Sequence, residues 1–134
     1  SRFMIYELFT DGGARGNPGP AAGAFVIKKG EKIVANGAVF LGKTTNNQAE
    51  YEGLVLGLKK LLTITKGEVK CFLDSELVVK QLNGQYRVKD EGLKPLFAKV
   101  CVLKGHFEKI TFTHIRREKN KEADALVNQE LDKY

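Results

Sequence analysis

The sequence predicts an α/β protein with a five-stranded mixed sheet, in which a three-strand antiparallel meander is joined by parallel strands and flanked by helices. The first observation is the run over residues 3–10, which is apolar on both faces and typical of a central buried strand. Residues 22–29 and 32–41 predict two further strands, because the turn between them joins them as a β-hairpin. Helical and strand patterns then alternate, which predicts the order βββ-α-β-α-α-β-α.

The first helix is predicted to begin after Thr45. Thr45 is a suitable N-cap and Gln48 occupies the third helical position, so the two residues are expected to form a capping box. Gly53 and Gly57 lie inside the helix, where each costs roughly 1 kcal/mol relative to alanine, and this predicts close packing of the helix on the sheet. Apolar residues recur with helical period at Tyr51, Leu54, Val55, Leu58, Leu61 and Leu62.

The second half of the sequence predicts two strands and three helices. Residues 68–73 form a buried strand that ends at Asp74, and Ser75 is a suitable N-cap for a short helix that stops at Asn83-Gly84. The remaining elements are a helix, a strand and a final helix, over residues 92–103, 107–114 and 121–132.

Composition limits the class of protein. We expect a single domain over residues 1–134, since a chain of this length supports one core. The net charge of +6 favours a polyanionic partner, although many basic proteins bind no nucleic acid. No stretch approaches the ~20 apolar residues that span a bilayer, and no basic-then-apolar leader opens the sequence, so we expect neither a membrane protein nor export.

The two cysteines indicate a reducing compartment. Cys71 and Cys101 lie in apolar runs, which favours buried thiols over a disulfide or a zinc site. We therefore expect a cytoplasmic protein, and we further expect a monomer with no small-molecule cofactor.

Four acidic residues stand at the edges of predicted elements. Asp11 and Asp74 each end an apolar strand, at the carboxyl edge where open α/β sheets place their sites. Glu50 and Asp124 lie in the first turns of two helices. Taken singly, each has an ordinary explanation as a turn residue, a strand end or an acid that complements a helix dipole. Together they predict a carboxylate site, provided that the two strands are neighbours.

Converging carboxylates require a positive charge. Two like charges ~4 Å apart cost about 4 kcal/mol at an effective dielectric constant of 20. Hard oxygen ligands suit Mg²⁺, with Mn²⁺ as an alternative, whereas zinc is disfavoured because thiolate and imidazole ligands are missing from the set. Two such ions ~3.5–4 Å apart would hold the attacking water and the leaving oxygen of a phosphodiester in line.

Four segments of the sequence resemble, in order, the motifs of type 1 ribonucleases H. They are residues 9–20, 44–50, 73–76 and 114–124, and together they extend over the whole chain. The resemblance implies the ribonuclease H-like fold and hydrolysis of the RNA strand of RNA–DNA hybrids, with 5′-phosphate and 3′-hydroxyl products. It also implies that the metal ligands are Asp11, Glu50, Asp74 and Asp124.

The resemblance implies further site residues. His114 would assist proton transfer or product release, which suits imidazole chemistry near neutral pH. Glu118 lies in the same loop, and because some relatives use a glutamate there, the choice between the two stays open. Thr45 would help to form a pocket for a DNA phosphate, and Glu76 replaces a glutamine found in some relatives. The implied nucleic-acid contacts are Gly12, Gly13, Asn17, Thr45, Asn46, Asn47 and Glu76.

The sequence resembles the short branch of the family, found in archaea and some bacteria. Some relatives carry a long basic, tryptophan-bearing insertion before the second long helix, but here that region is only residues 85–91 and the chain has no tryptophan. We therefore predict weaker hybrid affinity and looser substrate discrimination. Salt-sensitive phosphate contacts are predicted among Arg15, Lys43, Lys80, Arg87, Lys89, Arg116, Arg117, Lys119 and Lys121.

Three other functions fit the sequence less well. An integrase or a resolvase-like enzyme of the same fold also uses clustered acids, but the Asp-Gly-Gly and Thr-Thr-Asn-Asn segments fit it poorly. A non-catalytic hybrid-binding module would be expected to lack one of the four acids, and all four are present. A nucleotide phosphate loop at residues 12–19 is disfavoured because no Gly-Lys-Ser/Thr follows the glycines.

Overall fold

The computed structural model describes residues 4–134, so the predicted start of the first strand at residue 3 lies outside the described residues. A short 3₁₀ helix, Arg117–Lys119, precedes the last helix. The other elements are β1 (Ile5–Ala14), β2 (Gly19–Lys29), β3 (Lys32–Thr44), α1 (Asn46–Leu62), β4 (Glu68–Leu73), α2 (Glu76–Leu82), α3 (Lys94–Lys104), β5 (Lys109–His114) and α4 (Lys121–Leu131).

Within residues 4–134 the strands form a five-stranded sheet in the order β3-β2-β1-β4-β5. β1 pairs antiparallel with β2, and β2 pairs antiparallel with β3. β4 is parallel to both of its neighbours, β1 and β5. The predicted fold class, a meander joined by parallel strands and flanked by helices, is confirmed. β1 and β4 are adjacent, which is the condition that the predicted carboxylate site required.

The first two strands are longer than the sequence predicts. β1 continues through Asp11 to Ala14, and β2 begins at Gly19 rather than at residue 22, so part of the expected turn is paired strand. The small residues allow this pairing to continue beneath α1, because a Cβ on Gly12 would lie 2.2 Å from the backbone of Ala49. β3 also extends to residue 44, and α3 and β5 each begin two residues later than predicted.

The helices cover the sheet on two faces. α1 lies so close to β1 and β2 that a Cβ on Gly53 would meet the Asp11 carbonyl oxygen at 2.4 Å. A Cβ on Gly57 would lie 2.7 Å from Leu8 Cδ1, so the predicted close packing at both glycines is confirmed. On the opposite face Val127 and Leu131 of α4 pack against the small side chains of β2.

The two thiols differ in burial. Cys71 is fully buried in β4, as predicted, but Cys101 is only half-buried. The difference arises because Val100 is the one residue of α3 that is fully enclosed, so the next residue along the helix turns toward the surface. Among residues 4–134 no helix combines the length and apolarity needed to cross a bilayer.

Candidate active site

β1 and β4 bring two acids together. Thr10 pairs with Leu73 in the parallel register, so the next residue along each strand is an aspartate. Asp11 is 7% exposed and Asp74 is half-buried. Both residues lie on the same edge of the sheet, and this placement results directly from the adjacency of the two strands.

Glu50 reaches the same point from the first turns of α1. The capping box of Thr45 and Gln48 is present and starts the helix at Asn46. The Gly12 N–H donates to Glu50 Oε1 at 2.6 Å and to Asp11 Oδ1 at 2.9 Å. One oxygen from each of Asp11, Glu50 and Asp74 lies within 4.8 Å of the others, and we call these three residues the carboxylate cluster.

Asp124 lines the same cavity without joining the carboxylate cluster. It lies in the first turn of α4 and is half-buried, with Oδ2 3.5 Å from Asn128 Nδ2. The cavity has a volume of about 380 Å³. Its other lining residues include Gly12, Gly13, Asn46, Asn47, Ser75 and Arg117.

Burial perturbs the two deepest acids. Burial is the main reason why the pKa of Asp11 is raised to about 6. The charges of Asp74 and Asp124 raise this pKa further, and hydrogen bonds with Glu50 and Gly12 lower it. Burial also raises the pKa of Glu50 well above its usual range, together with the hydrogen bond and the charge of Asp11. The hydrogen bond between the two acids lowers the pKa of Asp11 and raises the pKa of Glu50.

The chemistry of the carboxylate cluster fits a divalent cation. Glu50 Oε2 is buried and has no hydrogen-bond partner among the described residues. A buried carboxylate oxygen without a partner is costly unless a proton or a cation neutralises it. Since the cluster offers only hard oxygen donors, Mg²⁺ and Mn²⁺ are the cations that it suits.

Two asparagines predicted to contact nucleic acid connect backbone segments near the cavity by hydrogen bonds. Asn17 Oδ1 accepts from the Asn46 backbone N–H at 3.0 Å, and Asn46 Oδ1 accepts from the Ala14 N–H at 2.8 Å. Both residues are exposed, and because their side-chain oxygens accept from backbone N–H groups, their amide N–H groups are left available as donors. Asn47 is exposed beside them and lines the cavity.

The other predicted contacts lie at the edges of the site. Thr45 is engaged in the capping box, and Gly12 donates its N–H to the carboxylate cluster. Glu76 is exposed at the start of α2, with Oε1 3.6 Å from Lys80 Nζ. Their roles in nucleic-acid binding stay predictions.

The two candidates for proton transfer are both exposed. His114 ends β5 and pairs in register with Leu73, one residue before Asp74. Glu118 lies in the 3₁₀ helix that precedes α4. Neither is among the residues that line the cavity walls, so either side chain would have to act from the rim.

Comparison with known proteins identifies the family. Residues 9–130 match the family described as reverse transcriptase-like. The crystal structure of RNase H1 from the halophilic archaeon Halobacterium salinarum superposes with a TM-score of 0.92 at 37% identity, covering 97% of this chain and 99% of that one. The chain belongs to the type 1 ribonuclease H family. The predicted ribonuclease H-like fold is confirmed, and the extent of the match to the archaeal protein is consistent with the short branch.

Other type 1 ribonucleases H support the same assignment. LC11-RNase H1, crystallised in complex with an RNA/DNA hybrid, has a TM-score of 0.91 and 42% identity over 96% of this chain and 97% of its own. The chain spans only part of several curated relatives. Ribonuclease HI of Halobacterium salinarum is 39% identical over 94% of this chain, which spans 64% of that protein. A bifunctional protein of Mycobacterium tuberculosis is 36% identical over 96% of this chain, which spans 36% of that protein.

Two asparagines of the site were missed by the sequence-based prediction. Asn120 is 2% exposed, and its Nδ2 donates to the Thr10 carbonyl at 2.8 Å and to Asp74 Oδ2 at 3.1 Å. Asn128 lines the cavity beside Asp124. In the sequence Asn120 has the appearance of an ordinary N-cap four residues before Asp124, and only the folded structure shows that it reaches β1 and β4.

Proposed function

We propose that this ribonuclease H domain hydrolyses the RNA strand of RNA–DNA hybrids with two Mg²⁺ ions, or Mn²⁺ as a substitute, and yields 5′-phosphate and 3′-hydroxyl ends. The observation that carries the proposal is the carboxylate cluster, in which Asp11, Glu50 and Asp74 approach within 4.8 Å around an unpartnered buried oxygen. A relative of the same family was crystallised with an RNA/DNA hybrid, which supports the choice of substrate.

The acids would hold the ions from two sides of the cavity. Asp11 and Glu50 would supply ligands from the buried floor, while Asp74 and Asp124 would supply them from the more open wall. Divalent ions held by these acids would supply a water of lowered pKa and positive charge to stabilise the departing 3′-oxygen of a phosphodiester. The Gly12 N–H keeps the two floor carboxylates oriented, since it donates to both.

The rim would hold the substrate. Asn17, Asn46 and Asn47 present amide donors that suit the 2′-hydroxyl and base edges of the RNA strand. Glu76 can accept from a 2′-hydroxyl, and Thr45 would help to bind a DNA phosphate on the other strand. His114 would carry a proton to or from the reacting phosphate, or Glu118 would do so in its place.

Arg117 would add positive charge beside the carboxylates, because it lines the cavity. Phosphate contacts of this kind are independent of sequence and sensitive to salt. A titration of hybrid binding against salt concentration measures them. We expect weak binding at physiological salt, since only residues 85–91 stand where some relatives have a basic insertion; tight binding there with a steep slope would contradict this expectation.

Cleavage of a labelled hybrid tests the proposed activity. We expect cleavage of the RNA strand with Mg²⁺ or Mn²⁺, none with EDTA, and none of duplex DNA. Asp74→Asn should abolish cleavage while leaving hybrid binding intact. Glu68→Gln is a matched control, because Glu68 is a half-buried acid at the opposite end of the same strand. Cleavage by the wild type in EDTA, or equal loss in both variants, would overturn the proposal.

We further propose that residues 1–134 act as one domain, as a monomer, in the cytoplasm. The buried Cys71 and the free Cys101 support a reducing compartment, since neither thiol is bridged. Light scattering of the purified chain measures the mass directly. A mass of about 15 kDa is expected from the 14.9 kDa chain, and a dimer would contradict the monomer.

A further inference from the structure

Asn120 occupies an N-cap position but does not act as a cap. It directly precedes α4, yet its side chain makes no capping hydrogen bond. An N-cap asparagine normally accepts a hydrogen bond from the second or third helical N–H. The side chain of Asn120 is instead 2% exposed and turned toward the sheet. A residue suited to cap the helix therefore directs its side-chain hydrogen bonds to the sheet instead.

The amide nitrogen of Asn120 joins β1 to the carboxylate cluster. Nδ2 donates to the Thr10 carbonyl at 2.8 Å and to Asp74 Oδ2 at 3.1 Å. Both partners are acceptors, so chemistry determines which end of the amide faces them. Asn120 Oδ1 is left buried and without a partner among residues 4–134. The side-chain oxygen thus stays unsatisfied while the nitrogen makes both hydrogen bonds.

The main chain of Asn120 connects the same point to Asp124. The Asn120 carbonyl accepts from the Asp124 N–H at 3.1 Å, and the Asn120 N–H donates to the Arg117 carbonyl at 2.9 Å. One residue therefore holds the side chain of Asp74 and also begins the helix that carries Asp124. Displacement of this asparagine would alter the relative position of both acids.

We infer that Asn120 is a positioning residue that aims Asp74 into the carboxylate cluster and so strengthens divalent-cation binding there. The inference rests on the proposed function, because it assumes that the cluster binds such cations. Loss of a hydrogen-bond partner that orients a metal ligand typically weakens metal affinity roughly 10–100-fold. If Asn120 served only the stability of α4, its replacement would lower thermal stability and leave metal affinity unchanged.

Calorimetric titration of the full chain with Mn²⁺ tests the inference without using activity. Asn120→Leu removes the donor, keeps a similar volume and adds no charge. Asn83→Leu is the matched control, because Asn83 Nδ2 also donates to a strand carbonyl, that of Phe112, at 3.1 Å. Asn83 follows the end of α2 that is remote from Asp74. We expect the Kd for Mn²⁺ to rise roughly 10–100-fold in Asn120→Leu and less than about twofold in Asn83→Leu.

A second pair of variants separates positioning from general destabilisation. In an Asp74→Asn background, Asn120→Leu should add little further loss of Mn²⁺ affinity, since its effect passes through the missing carboxylate. Asn120→Ser keeps a single donor and should give a shift between those of wild type and Asn120→Leu. It also serves if the leucine variant does not fold.

The outcomes distinguish the inference from the proposed function. If the wild type binds Mn²⁺ and cleaves the hybrid while Asn120→Leu behaves like Asn83→Leu, only the inference is overturned. A folded Asn120→Ser with wild-type Kd, or a fully additive effect in the Asp74→Asn background, overturns it as well. If the wild type binds no Mn²⁺, the proposed function fails and the inference fails with it.

Discussion

The floor and the wall of the same cavity hold their acids by different means. Asp11 and Glu50 on the floor are 7% and 6% exposed, and a backbone N–H orients them both. Asp74 and Asp124 on the wall are half-buried, and side-chain amides of asparagines approach both of them. The cavity thus combines a rigid buried pair with a pair oriented by replaceable side chains.

The floor acids therefore create the need for a cation, whereas the wall acids differ in how their side chains are oriented toward it. On the floor, burial raises the pKa of both acids, so a proton or a cation must occupy the site. On the wall, orientation depends on amides that substitution can remove without stranding a buried charge. Loss of a floor acid is therefore expected to abolish function, whereas loss of an amide that orients a wall acid is expected only to reduce it.

The largest effect is expected on the floor. Glu50→Gln should lower hybrid cleavage at least ~10³-fold, because metal stabilisation of a transition state amounts to several kcal/mol and each 1.36 kcal/mol is tenfold in rate. The metal-free protein should become more stable, since a buried carboxylate is replaced by a neutral amide. Single-turnover cleavage and denaturant unfolding in EDTA measure the two effects. A variant with more than a tenth of wild-type activity would refute the division between floor and wall.

Two adjacent glycines test the rigidity of the floor. A Cβ on Gly12 would meet the Ala49 backbone at 2.2 Å, whereas one on Gly13 would reach Val127 Cγ1 at an ordinary 3.9 Å. Gly12→Ala should therefore cost about 1–3 kcal/mol of unfolding free energy through overpacking, and Gly13→Ala should change it by less than about 0.5 kcal/mol. Denaturant midpoints give the comparison. Equal losses would mean that α1 can shift away from β1.

Asp124→Asn should have an intermediate effect. Because this acid is half-buried and lies outside the carboxylate cluster, we expect activity to fall roughly 10–100-fold with little change in metal-free stability. The same single-turnover assay compares its activity with that of Glu50→Gln. A loss of activity as large as that of Glu50→Gln would mean that Asp124 is as essential as the two floor acids.

The smallest effect is the pH dependence of stability. The folded chain keeps protons on Asp11 and Glu50 at pH values where the unfolded chain has released them, so unfolding free energy should fall as pH rises from about 4 through 6. If Mg²⁺ binds in place of the proton, it should stabilise the protein more at pH 8 than at pH 5. Thermal melts with Mg²⁺ or EDTA at both pH values measure this, and an equal stabilisation would argue against a cation on the floor.

Local chemistry made much of the fold and site predictable. The capping box at Thr45 and Gln48 and the N-cap at Ser75 follow from neighbouring residues, and both are present. The convergence of Asp11 and Asp74 followed from two apolar strands that each end in an acid. These features depend on residues close together in sequence, or on one topological choice that the strand pattern favours.

Contacts between distant segments could not be predicted in the same way. The extension of β1 to Ala14 depends on how closely α1 approaches Gly12, which is a packing property. The hydrogen bonds of Asn120 join residues 110 and 46 positions apart in the chain. No local pattern distinguishes this asparagine from a helix cap, so its place in the site is known only from the structure.

Anomalous diffraction from crystals soaked in Mn²⁺ tests most directly whether the acids share divalent cations. We predict anomalous density inside the cavity, in contact with Asp11, Glu50 and Asp74, and loss of that density in Glu50→Gln crystals. Mn²⁺ found only on the protein surface, or bound equally well after Glu50→Gln, would contradict a cation site in the carboxylate cluster.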